Sequence, residues 1–80
     1  METLLDVIEV EPRTDNTLRL VFENNEERVF DMNPLLDEKP FTKLRDKELF
    51  MKGRVAFGTV AWPGNIDIAP ETLWDCSIRA

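Results

Sequence analysis

Eighty residues carrying nine Leu, six Val, four Ile, five Phe and two Trp allow one small hydrophobic core and exclude a second domain. The absence of histidine and the single cysteine, Cys76, exclude Ser-His-Asp or Cys-His catalysis, a histidine zinc site and an intramolecular disulfide. The net charge of −6 is concentrated in residues 1–31, where nine Asp and Glu face three Arg, a balance that repels nucleic acid at long range.

The opening METLLDVIEVEPR lacks the basic region and cleavage site of a signal peptide, and no apolar run is long enough to span a bilayer. A cytoplasmic protein without a membrane segment is expected. Leu4 to Glu11, Thr17 to Glu23 and Glu26 to Met32 read as strands. Leu18, Leu20 and Phe22 alternate with Arg19, Val21 and Glu23 in the period-2 pattern of a sheet with one packed face. Asn24 and Asn25 predict a two-residue turn of the primed type, and Pro12, Thr14, Asp15 and Asn16 a looser one.

Asn33 is placed to cap a short helical turn beginning at Pro34, with Leu35 and Leu36 facing inward. After Pro40, Phe41 to Leu49 read as one short helix with a narrow apolar side formed by Phe41 and Leu44. Arg54 to Phe57, a turn near Gly58, and Thr59 to Trp62 predict a second hairpin. Pro63, Gly64 and Asn65 turn the chain into Ile66-Asp67-Ile68, whose isoleucines share a side. Pro70 and Glu71 open a last helix with Leu73, Trp74, Cys76 and Ile78 as its apolar side, Cys76 being a buried structural thiol. The fold class expected is α+β over residues 1–80: a small antiparallel sheet of two hairpins, a short central helix and a C-terminal helix.

Three groups of residues carry the functional possibilities. The segment Trp62 to Leu73 reads either as a recognition loop or as structure, with Trp62 in the core, Asp67 accepting backbone hydrogen bonds and Pro70 and Glu71 starting the helix. The structural reading is preferred, since every residue has a conformational role that needs no ligand. Asp31, Asp67 and Glu71 could converge on Mg²⁺ or Mn²⁺ in a carboxylate-dependent hydrolase, although no spacing motif links them and no metal or other cofactor is expected. Lys39, Lys43, Arg45, Lys47, Lys52 and Arg54 could contact RNA, with Phe41, Phe50 and Phe57 interleaved. Four acids in the same span favour a solvated helix over ordinary core phenylalanines instead.

The run WPGNIDIAPETL from Trp62 to Leu73 resembles a widespread bacterial family, domain of unknown function 2442. The resemblance extends to Phe30-Asp31 at the end of the early hairpin, to Phe41 and Leu44, to Phe50, and to Trp62, Pro63, Asp67, Pro70, Glu71 and Leu73. Gly64-Asn65 stands where the family has Asn before Gly, and Trp74 where Tyr is usual. The family implies an α+β fold without an assigned activity. Its small members are often encoded beside another short protein in a toxin and antitoxin arrangement. Longer ones carry a helix-turn-helix domain, a role not carried over to this chain. The expectation that follows is a non-enzymatic protein-interaction module, the acidic member of such a pair, binding a small basic protein. A nucleic-acid-associated accessory domain is the alternative. A strand edge could also pair with a second copy, giving a homodimer.

Overall fold

The structure is a computed structural model and describes residues 5–79. Leu4, expected at the start of the first strand, lies outside them. Two antiparallel sheets and a few short helices form an α+β fold. The first sheet has the order β1-β2-β3-β7, with β1 at Val7–Pro12, β2 at Thr17–Phe22, β3 at Glu27–Asp31 and β7 at Ile78–Arg79. The second has the order β4-β5-β6, with β4 at Arg54–Ala56, β5 at Thr59–Trp62 and β6 at Ile66–Asp67. A backbone bond from the Val7 N–H to the Gly58 carbonyl, 2.9 Å, ties the start of β1 to the tip of the second sheet.

Burial follows the alternation of β2: Leu18, Leu20 and Phe22 are buried, and Thr17, Arg19 and Val21 face outward. The first group joins Phe30 and Met32, Val60, Trp62, Ile66 and Ile68 from around the second sheet, and Leu36, Leu44, Phe50 and Leu73 from the helices, in one core cluster. Ile66 and Ile68 share the buried side, as expected, with Asp67 exposed between them. Its exposure departs from the role of backbone acceptor expected of it.

Both turns of the first three strands use one device. Arg13 and Thr17, and Phe22 and Glu26, close three-residue connections in which the last residue, Asn16 or Asn25, has φ of 69° or 66°. The preceding Asp15 or Asn24 accepts the N–H two residues on, from Thr17 at 3.2 Å or Glu26 at 3.0 Å. The expected two-residue primed turn is therefore corrected to a three-residue connection. Asn24 spends its side chain on this local bond, and only Asn25 takes the left-handed conformation. The Thr17 hydroxyl also donates to Asp15 at 2.6 Å, which is the largest cause holding that carboxyl below its usual range. A folded-state value below the unfolded one stabilises at neutral pH, and that contribution is lost as pH falls through the folded value. Urea unfolding of Asp15→Asn in acid and at neutral pH is expected to show less loss of stability on acidification than the parent chain.

Further expectations are revised. A 3-10 turn at Asn33–Leu35 is capped by Met32 without a side-chain bond. Asn33 does not cap because its amide donates to Asp31 at 2.7 Å and its oxygen accepts from Asn16 at 3.0 Å. Leu36 is buried and Leu35 only half-buried. The helix expected over Phe41 to Leu49 is two pieces, a 3-10 helix at Phe41–Arg45 and α1 at Lys47–Phe50. The break is at Asp46, whose extended backbone (ψ 114°) and carboxylate, accepting from Glu48 N–H, make it the cap of α1. Finally, α2, Pro70–Cys76, ends a residue short of Ser77, so Ile78 leaves the helix and pairs with Val29 as part of β7. Cys76, in the last helical position, is exposed rather than buried. No helix among the described residues is long and apolar enough to cross a membrane.

Candidate functional site

The chemistry-bearing residues lie on two surfaces. On the outward face of the first sheet, the strand register sets Glu9 beside Val21 and Glu27, Glu11 beside Arg19, Val29 and Ile78, and Thr17 beside Asp31. Glu9, Glu11, Glu27 and Asp31 are exposed, as is Ile78 at 69%, while Val21 and Val29 are half-buried. Four carboxylates thus surround a short apolar strip on a solvent-facing sheet. Two arginines are engaged by these carboxylates: Arg19 by Glu27 at 2.8 Å and Glu9 at 3.2 Å, which raise its pKa further, and Arg13 by Glu11 at 3.5 Å. The face keeps a net negative charge that draws cationic groups, with screening by salt.

The second surface is the outward face of the small sheet. Arg54, Ala61 and Asp67 stand in one row across β4, β5 and β6, and an open groove of about 380 Å³ runs over them between Phe57 and Asn65. Phe57 and Gly58 form a two-residue turn between Ala56 and Thr59 with φ of 53° and 75°. Two positive φ values match the twist of a hairpin. Phe57, expected in the core, is instead 99% exposed, because a residue inside such a turn points away from both strands.

The residues anticipated from sequence take mainly structural positions. Trp62 is buried. Its indole N–H donates to the Phe50 carbonyl at 2.8 Å, and its ring stacks on Phe50 with centroids 6.1 Å apart. Pro63 is exposed in the turn, Pro70 lies in the first turn of α2, and Glu71 adds favourable charge there. Asp31 accepts the Asn33 N–H at 2.9 Å. Asp67 is corrected: it is exposed, makes no side-chain hydrogen bond among the described residues, and leaves the helix cap to Ala69, whose carbonyl accepts from Thr72 and Leu73. Asp31 and Asp67 lie in different sheets, and no group of three Cys, Asp or Glu among the described residues could hold a metal ion. The six basic residues are all exposed, and three have intramolecular partners or a groove to face. Arg45 is tied to the Leu36 carbonyl and Asp37, Lys47 to the Thr14 carbonyl and Asn16, and Arg54 faces the groove; Lys39, Lys43 and Lys52 are exposed.

Gly53 sits against the Trp62 indole, where an added Cβ would lie 2.7 Å from Nε1. Gly53→Ala is expected to push the ring off the Phe50 carbonyl and to cost about 1–3 kcal/mol in urea unfolding.

Sequence reasoning missed Phe57 and the strip of Val21, Val29 and Ile78. The Phe-Gly pair ahead of Thr59 was the available signal for the first. The second depended on a two-residue strand with no sequence pattern of its own.

Two antiparallel sheets around one core, with an acidic, solvent-facing sheet surface, define a small α+β protein. The chain belongs to the DUF2442 family, described as a protein of unknown function, whose family model matches residues 7–79. Searches of curated proteins and of solved structures return no match. The two departures from the family pattern have simple physical consequences. Gly64 and Asn65 both have positive φ, 95° and 62°, so either order of the two serves the turn. Trp74 packs edge-on to Phe22, 4.9 Å between centroids, and lies beneath the Arg28 guanidinium at 3.9 Å.

Proposed function

We propose that the chain is a non-enzymatic protein-interaction module, the acidic antitoxin-like member of a two-protein toxin and antitoxin pair in the cytoplasm. Its outward first-sheet face binds a small basic protein. The observation that carries this reading is the arrangement of Glu9, Glu11, Glu27 and Asp31 around Val21, Val29 and Ile78, four carboxylates against two arginines, Arg19 and Arg13, that are already paired with them. Apolar contact at the centre supplies affinity, and the surrounding carboxylates steer a cationic partner and select against an acidic one. A toxin acting on RNA is itself basic, which makes it a fitting occupant.

The gene context gives the first test. A short reading frame directly adjacent, encoding a basic protein that co-purifies with this chain and dissociates as salt rises, is the expected result. A solitary gene, or a neighbour whose product does not co-purify, contradicts the proposal.

A further inference from the structure

We infer that the outward face of the small sheet is a second interface, and that its occupant is another copy of this chain. Three features of the face complement their own rotated image. The first is charge. Arg54 and Asp67 stand on the same face, one on each side of Ala61, separated by two strand spacings or about 10 Å. Neither forms an ion pair among the described residues. A two-fold axis along β5 lays one face on the other and carries Arg54 of each copy over Asp67 of its partner, making two ion pairs related by symmetry.

The second feature is shape. The floor between the charged residues is made of Ala56 and Ala61, side chains small enough for two sheets to approach to the roughly 10 Å of face-to-face packing. The third is Phe57, at the rim of the groove, 99% exposed and with φ of 53°. An aromatic residue in the left-handed region is strained, and full hydration of its ring is a further cost that folding alone does not recover. The same two-fold rotation sets each Phe57 ring over the β5–β6 half of the opposite sheet, removing it from water. A three-stranded face is smaller than the roughly 800 Å² per partner of a standard interface, so the dimer is weak, with Kd between about 10 μM and 1 mM. It leaves the acidic face of the first sheet open.

Sedimentation equilibrium of the full chain tests this. The parent chain is expected to dimerise with rising concentration, and the Arg54→Asp and Asp67→Arg chains each to remain monomeric, with unchanged circular dichroism. An equimolar mixture of those two variants is expected to form a heterodimer, because both cross-interface pairs are then of opposite charge. Intramolecular effects of either substitution cannot produce that result. Phe57→Asn is expected to abolish dimerisation while raising Tm at dilute concentration by about 4–8 °C, since Asn tolerates positive φ. A parent chain that is monomeric up to about 1 mM, a mixture that stays monomeric, or a Phe57→Asn chain that still dimerises would each overturn the inference.

Discussion

Trp62→Ala is expected to remove about 3–5 kcal/mol of stability. For 80 residues the whole folding free energy is roughly 4–12 kcal/mol, so this one substitution is expected to remove a large share of it and to lower Tm markedly. The indole joins α1 to the second sheet: it projects from β5, stacks on Phe50 of α1, and approaches Gly53 just before β4. Its loss opens a cavity in the core and removes one of two donors from the Phe50 carbonyl, the Gly53 N–H remaining at 3.2 Å. Trp62→Phe keeps most of the apolar volume and loses only the N–H. It is expected to cost about 0.5–1.5 kcal/mol, the net contribution of one hydrogen bond, because the Gly53 N–H still donates to that carbonyl. Urea unfolding followed by far-UV circular dichroism separates the two contributions.

Arg28→Ala is expected to cost about 2–4 kcal/mol, although Arg28 is a charged residue on a strand. Cross-strand pairing with Leu20 turns Arg28 toward the core side, where its side chain is only 15% exposed. There it donates to the Ser77 carbonyl at 3.0 Å and the Trp74 carbonyl at 3.4 Å and covers the Trp74 ring. The carbonyls at the end of α2 thereby gain a cation, which joins helix, β7 and first sheet at one point. Arg28 Nε lies 2.8 Å from Glu26 Oε2, yet neither atom has a partner in hydrogen-bond alignment, so the pair is held by charge rather than by a directed bond. Removing the arginine alone leaves the half-buried Glu26 carboxylate with only the exposed Arg79, 3.3 Å away, as its cation. The double variant Arg28→Met with Glu26→Gln is therefore expected to be more stable than Arg28→Ala, and a thermal melt of both chains reads the difference.

Much of the fold was legible because burial on β2 follows strict alternation and because Asn-rich turns, Pro70 and Gly58 punctuate the chain. Trp62 was read as a core residue and Ile66 and Ile68 as sharing one side, and the structure buries all three. What escaped depended on tertiary contact or on competition between local preferences. Asp46 reads as one more charged helical residue, but capping wins there and splits the helix. Ser77-Ile78-Arg79 is too short to show a period, and only its docking on β3 makes it a strand. Arg28 occupies an inward position that an alternating pattern reserves for an apolar residue. Its place is explained by two carbonyls and an indole that lie 46 to 49 residues away in the chain. The acidic surface was legible only as an excess of charge in the first third. The register then sorted those acids, leaving Glu9, Glu11, Glu27 and Asp31 outward and turning Glu26 toward Arg28.

Isothermal titration of the chain with the product of the adjacent short reading frame tests the docking role of that outward face most directly. The parent chain is expected to bind, with affinity falling as salt rises. The folded triple variant Glu9→Lys, Glu11→Lys, Glu27→Lys, which reverses the sign of the face, is expected to lose binding at least 100-fold, roughly the loss of about 3 kcal/mol. Equal affinity for the parent and the triple variant, or no binding by the parent chain, would contradict it.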